Sequence, residues 1–386
     1  MRTDPQSSVP AAGDAPATAW TAAQVRQISL DAAHSAPILG PSDVVRAAPD
    51  IDIWDAWPIQ DADGAAFALP GGETLWMALG APRFPDPDER HGHARIHLFS
   101  RTDGRWSDLG PAMPDGFSPG SREWSGSAVL DQDAASLTLY FTATGRRGEA
   151  ALTFEQRLFR ARATLRGQTG SWSLGDWRDL NEFVLLDPDF YMASDAGSGA
   201  VGTIKAFRDP AYFRDPADGR HYVFFAASKA GSPSAFNGVI GAARADEEAA
   251  AQWTILPPII SADTLNNELE RPHVVFHEGR YYLFWSTQSH VFNPEGPVGP
   301  TGLYGMVAEG LGQQWRPLNG TGLVFANPPQ APRQTYSWLV MPDLQVTSFV
   351  DDWGDDVSAP REKRFGATFA PMLRLRLSGE NAELEA

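Results

Sequence analysis

From about Asp50 onward, short apolar or aromatic runs alternate with turn residues. Leu137-Thr138-Leu139-Tyr140-Phe141, Tyr222-Val223-Phe224-Phe225 and Tyr281-Tyr282-Leu283-Phe284-Trp285 are of strand length and bounded by Gly, Asp or Pro. A 3.6-residue period is nearly absent. Short helices are expected only near Thr21–Ser29 and over Ala242–Gln252, the latter decorating a loop. With 36 Gly, 31 Pro and 13 Trp, turns and aromatic surfaces are frequent, which suits an all-β chain.

The runs repeat. Arg208-Asp209-Pro210 leads through the turn Asp215-Pro216-Ala217-Asp218-Gly219 to the run at Tyr222, and Glu270-Arg271-Pro272 leads through His277-Glu278-Gly279 to the run at Tyr281. Trp124-Ser125-Gly126-Ser127 precedes Leu137 in the same way. Each unit reads as an inner strand with a polar residue, a hairpin and a buried strand. Asp55 and Tyr336 complete a series at 55, 124, 209, 270 and 336, separated by 69, 85, 61 and 66 residues. One mark per blade predicts a five-bladed β-propeller with long insertions and a central funnel-shaped active site lined by the inner strands. The expected organisation is a flexible lead-in over residues 1–45, rich in Ala, Ser, Pro and Asp, and a single propeller over 46–386.

Charge narrows the partners. A net charge of -17 disfavours nucleic acid and anionic membrane surfaces and leaves a neutral sugar unaffected. There is no cysteine, so disulfides and thiolate metal sites are excluded. No run of about 18 apolar residues indicates a membrane span. The N-terminus lacks a basic start followed by an apolar core, so secretion is expected by another route or after trimming, with retention inside the cell the alternative.

Three segments place a carboxylate beside apolar or aromatic residues: Ile53-Trp54-Asp55-Ala56-Trp57-Pro58, Phe207-Arg208-Asp209-Pro210 and Glu268-Leu269-Glu270-Arg271-Pro272-His273. Cleaving a glycosidic bond needs two carboxylates with different tasks, and a third can hold the sugar. Together with Glu123-Trp124-Ser125-Gly126-Ser127, Thr335-Tyr336-Ser337 and Thr368-Phe369-Ala370-Pro371, these segments resemble the signatures of glycoside hydrolase family 68. That family comprises levansucrases, inulosucrases and related bacterial β-fructofuranosidases. The resemblance spans roughly residues 50 to 380, and the family fold is a five-bladed propeller.

The resemblance implies Asp55 as the nucleophile that attacks C2 of fructose, Glu270 as the acid/base and Asp209 as the transition-state stabiliser. Desolvation and neighbouring carboxylates are expected to raise the Glu270 pKa unless Arg271 points at it. Trp54 and Trp124 would wall the fructosyl unit, and Ser125 would bond the nucleophile region. Arg208, Arg271, Glu268 and Tyr336 would contact sucrose or orient carboxylates. Gln288 and His290 are the acceptor-side candidates. The implied substrates are sucrose and fructan or oligosaccharide acceptors, with no cofactor. Ala56 stands where many relatives have Ser. Asn266-Asn267 stand where some have acidic residues near calcium, so no metal site is expected there.

Other readings stay open. An Arg-Asp-Pro segment is ordinarily turn chemistry, and Phe213-Arg214-Asp215-Pro216 is taken as the structural copy. Trp54 and Trp57 alone would be core. His91, His93 and His97 suggest a metal, but no carboxylate has ligand spacing. Asp351-Asp352-Trp353-Gly354-Asp355-Asp356 reads as a solvated loop rather than a calcium site. The function expected is sucrose-dependent fructosyl transfer with hydrolysis. The alternatives are inulosucrase or oligosaccharide-forming chemistry, an arabinan-cleaving propeller, or a non-catalytic sugar-binding propeller.

Overall fold

A computed structural model describes residues 12–13, 15–194, 204–246, 252–354 and 363–385. Strands make up most of the regular structure of the described residues, and they run as successive antiparallel meanders. The first meander begins with Ile51–Gln60 and continues through Thr74–Pro82, Arg95–Thr102 and Arg105–Pro111. Arg122–Leu130 opens the second, followed by Ser136–Thr144, Gln156–Gln168 and Ser171–Val184. A short parallel pairing, Ile59 with Ala128 and Gln60 with Val129, joins these two meanders edge to edge. Phe207–Arg214 opens the next, with His221–Ser228, Gly238–Ala245 and Thr254–Ser261. Glu270–His277 is followed by Arg280–Thr287 and Gly302–Ala308, and Thr335–Val340 by Gln345–Val350, Leu373–Ser378 and Asn381–Leu384.

The opening strand of each meander lies beside that of the next, and Thr335–Val340 returns to Ile51–Gln60. Polar bonds stitch these inner strands together. Ser127 Oγ donates to the Pro210 carbonyl at 2.9 Å, and the Tyr212 N–H donates back to Ser127 Oγ at 2.9 Å. The Val340 N–H donates to His273 Nε2 at 2.8 Å. The runs at Leu137, Tyr222 and Tyr281 are the second strands, buried as their composition implies.

Hairpin chemistry follows sequence. His277 pairs with Arg280 across Glu278-Gly279, and both turn residues take left-handed φ, 47° and 78°. That is the two-residue turn whose twist matches the strands. Asp215 caps its own turn, accepting from the Ala217 N–H at 2.9 Å and from the Tyr281 hydroxyl at 2.6 Å, so this second Arg-Asp-Pro copy is structural.

Two expectations are amended. Ala242–Ala245 end the strand Gly238–Ala245, so the helix expected over Ala242–Gln252 does not begin there. Small Ala and Gly residues suit a strand squeezed between neighbours, and Phe225 lies where a Cβ on Gly241 would be. Residues 247–251 of that expectation lie outside the described residues. The helix near Thr21 is short, Ala22–Val25, with a reciprocal cap between Thr21 and Gln24.

The N-terminal segment lies against the strands. Thr18–Ala19 pair in parallel with Ile260–Ser261. Trp20 is buried edge-on against Trp285 and Phe292, and its Nε1 donates to the Thr321 carbonyl at 3.0 Å. No helix among the described residues is long and apolar enough to cross a membrane.

Candidate active site

Every inner strand slips register at the same level. The shifts fall between Trp54 and Trp57, Trp124 and Gly126, Arg208 and Ala211, Glu270 and His273, and Tyr336 and Leu339. Asp55, Asp209, Arg271 and Ser337 take left-handed φ of 52°, 63°, 49° and 61° at these bulges. Non-glycine residues there cost about 1–3 kcal/mol each, and a bulge re-aims a side chain. The equivalent pairs are therefore 54–55, 124–125, 208–209, 270–271 and 336–337. The sequence marks at 124, 270 and 336 are first members of their pairs, and those at 55 and 209 are second members.

These bulges face one cavity of about 520 Å³. Trp54, Asp55, Trp124, Ser125, Arg208, Asp209, Glu268, Glu270, Arg271 and Tyr336 line it, as do Gln288 and His290. Ser125 Oγ donates to Asp55 Oδ2 at 2.7 Å. Asp209 is buried, and its Oδ2 accepts from the Arg271 N–H at 3.3 Å. The Asp209 N–H donates to Thr142 Oγ1 at 2.9 Å. Burial pushes the Asp209 carboxyl up to about 7 against the pull of Arg208, with Glu270 and Asp55 adding to the rise.

Arg208 is the hub. Its Nη2 donates to Glu270 Oε1 at 2.6 Å and to Glu268 Oε2 at 3.3 Å. The Tyr336 hydroxyl donates to the other Glu270 oxygen. Burial works to raise Glu270, but the Arg208 guanidinium and the Tyr336 bond outweigh it and hold Glu270 below its ordinary value. Glu268 goes the other way: burial, then the Glu270 charge, lift it to about 7. The expectation of a raised Glu270 is thus corrected, and the cause is Arg208. Arg271 does point elsewhere, donating to Ser337 O and Oγ at 3.1 and 2.9 Å and to Ala56 O at 2.7 Å. Ala56 thereby serves through its backbone, with no side-chain hydroxyl.

The family model described as levansucrase/invertase, glycoside hydrolase family 68, matches residues 10–237 and 232–385. The chain belongs to glycoside hydrolase family 68. As a member of that family it is an enzyme of the glycoside hydrolase and fructosyltransferase kind. Levansucrase Lscbeta of Pseudomonas syringae pv. actinidiae is 31% identical over 406 residues, covering 95% of this chain and 90% of that one. Levansucrase Lscgamma of the same organism is 33% identical over 414 residues, covering 95% and 90%. Among solved structures, an inulosucrase from Halalkalicoccus jeotgali bound to kestose matches with a TM-score of 0.86 and 35% identity, covering 96% of this chain and 95% of that one. A levansucrase from Gluconacetobacter diazotrophicus matches with 0.81 and 25%, covering 96% and 90%.

The site of this family 68 enzyme also holds residues that the motifs did not single out. Pro87–Gly92 forms a short 3-10 turn that sets Arg90 and His91 in the cavity wall. The Arg90 guanidinium lies 4.1 Å from the Phe365 ring centre and 5.3 Å from that of Trp54. His91 meets Trp54 edge-on, and burial beside Arg90 lowers its pKa to about 3, so it is neutral. His97 instead faces Asp108 at 3.4 Å. Lys363 bridges Asp88 and Asp351 at 3.0 Å each, and all three line the cavity. Asp352 pairs with Arg333 at 2.9 Å, and Asp355 and Asp356 lie outside the described residues. No cluster of three or more His, Asp or Glu among the described residues could hold a metal. A run of Pro and Asp signals a loop, and nothing local says that the loop folds back over Trp54.

Proposed function

We propose that this family 68 enzyme is a sucrose-dependent fructosyltransferase with sucrose hydrolase activity, acting by a retaining double displacement. The observation that carries the reading is the convergence of Asp55, Asp209 and Glu270, from three separate inner strands, on one cavity. Asp55 attacks C2 of the fructosyl unit and forms the covalent intermediate, with Ser125 orienting its second oxygen. Glu270 protonates the leaving glucose oxygen and then activates the acceptor. Arg208 must turn from Glu270 toward substrate hydroxyls for Glu270 to hold that proton. Asp209 grips the fructosyl ring as it flattens.

The circuit of inner strands, each heading a meander, supports a five-bladed propeller with one catalytic unit over residues 46–386. Acceptors would be water, sucrose or a growing fructan, with Gln288 and His290 on that side. A polymer product argues for action outside the cell. The levansucrase names of the relatives favour levan, and the likeness to an inulosucrase favours inulin-type product as the second reading. Linkage analysis of product made from sucrose separates the two: β-2,6 bonds support the first and β-2,1 bonds the second.

A further inference from the structure

Behind the carboxylates, the Lys205 ammonium sits among three oxygens. It donates to the Ala235 carbonyl at 2.7 Å, Asn237 Oδ1 at 2.9 Å and Asn267 Oδ1 at 3.4 Å. An ammonium has three protons to give and no acceptor, so every group facing it must present oxygen. Asn237 is anchored on its other side, where Nδ2 donates to the Lys229 carbonyl at 2.8 Å. Asn267 is fully buried, and the lysine fixes which end of its carboxamide faces which way. Its Nδ2 is then left to donate to Glu268 Oε1 at 3.0 Å and to the Ile204 carbonyl at 3.4 Å. Glu268 Oε2 meets Arg208, and the same guanidinium nitrogen grips Glu270. One chain of bonds thus runs from Lys205 to Glu270.

We propose that Lys205 is a positioning residue for fructosyl transfer: it locks the Asn267 carboxamide, which holds Glu268 and Arg208 where they deliver Glu270. A neutral, non-donating side chain removes the bond that holds the Asn267 oxygen, so the carboxamide is free to turn and its Nδ2 no longer has to face Glu268. Glu268 in turn favours the charged lysine, against burial that lowers its pKa. The proposal rests on Glu270 as the acid/base.

The test measures kcat and KM on sucrose for Lys205→Met, Asn267→Leu and the double variant, with Glu270→Gln alongside. Lys205→Met is expected to lose about tenfold in kcat with KM within about twofold, because the loss is one of alignment. Adding Asn267→Leu to Lys205→Met should cost less than about twofold more, since the two act in series. A wild-type kcat in Lys205→Met, or costs that simply multiply, overturns the proposal. If Lys205→Met does not fold, Asn267→Leu carries the test with the same expected split, and a wild-type kcat there overturns it. Unchanged turnover in Glu270→Gln overturns the acid/base reading instead. A crystal structure of Lys205→Met reads the geometry independently of turnover. A turned Asn267 with Glu268 withdrawn from Arg208 supports the proposal, and an unmoved pair overturns it.

Discussion

Asp209 and Glu268 carry carboxyls lifted by burial to about 7 from ordinary values of 3.8 and 4.5. The folded protein then holds protons that the unfolded chain releases near pH 4. Folding stability contributed by these groups is fully present below about pH 4 and is lost as pH rises toward about 7. Asp209→Asn should therefore flatten the fall in melting temperature over that window, and an unchanged slope would count against a protonated Asp209. Asp55→Ala and Glu270→Ala should each lower turnover by about four orders of magnitude with the fold intact, as circular dichroism would verify. Near-normal turnover in either would reject the assigned roles. The motif residues were legible because each inner strand writes its site pair as adjacent letters beside Pro, Gly or Trp. Arg90, His91 and Lys363 were not, because their place depends on a loop folding over Trp54 and on an ion pair between residues 275 positions apart. The proton balance between Glu268 and Glu270 was equally hidden, since it turns on which carboxylate Arg208 grips more closely.

At the scale of the element, the bulge is the device that makes a site from ordinary strands. Sequence reading found the strands and hairpins through run length and turn residues, but the two-residue register of the marks needed the ladder. Gly126 shows how tight that ladder is: a Cβ there would lie 1.9 Å from the Tyr140 carbonyl oxygen. Gly126→Ala should destabilise the protein by about 3 kcal/mol through forced separation of Arg122–Leu130 and Ser136–Thr144. Urea unfolding measures this directly, and a midpoint equal to wild type would show that the strands part without cost. The helix expected at Ala242 failed for a related reason. A run of Ala carries helix propensity, but small residues are also what a central strand needs where Phe225 presses on Gly241.

Across the whole molecule, residues before 46 act on a body whose motifs all lie later. Composition reads this segment as a flexible lead-in rich in Ala, Ser, Pro and Asp and hides Trp20, one of its anchors. Trp20 joins the edge strand Thr254–Ser261, through its neighbours Thr18–Ala19, to Trp285 and Tyr304 of the following meander. Trp20→Ala should cost about 3–5 kcal/mol while leaving KM for sucrose unchanged, because the cavity is lined by other residues. A raised KM would tie the anchor to the site. Fructosyl transfer from sucrose is the reaction proposed for this set of carboxylates. The most direct measurement follows glucose and free fructose released from sucrose by the purified protein over time. Glucose in clear excess over free fructose is the predicted result, because part of the fructosyl flux goes to sugar acceptors. The appearance of neither sugar would rule out sucrose as the fructosyl donor.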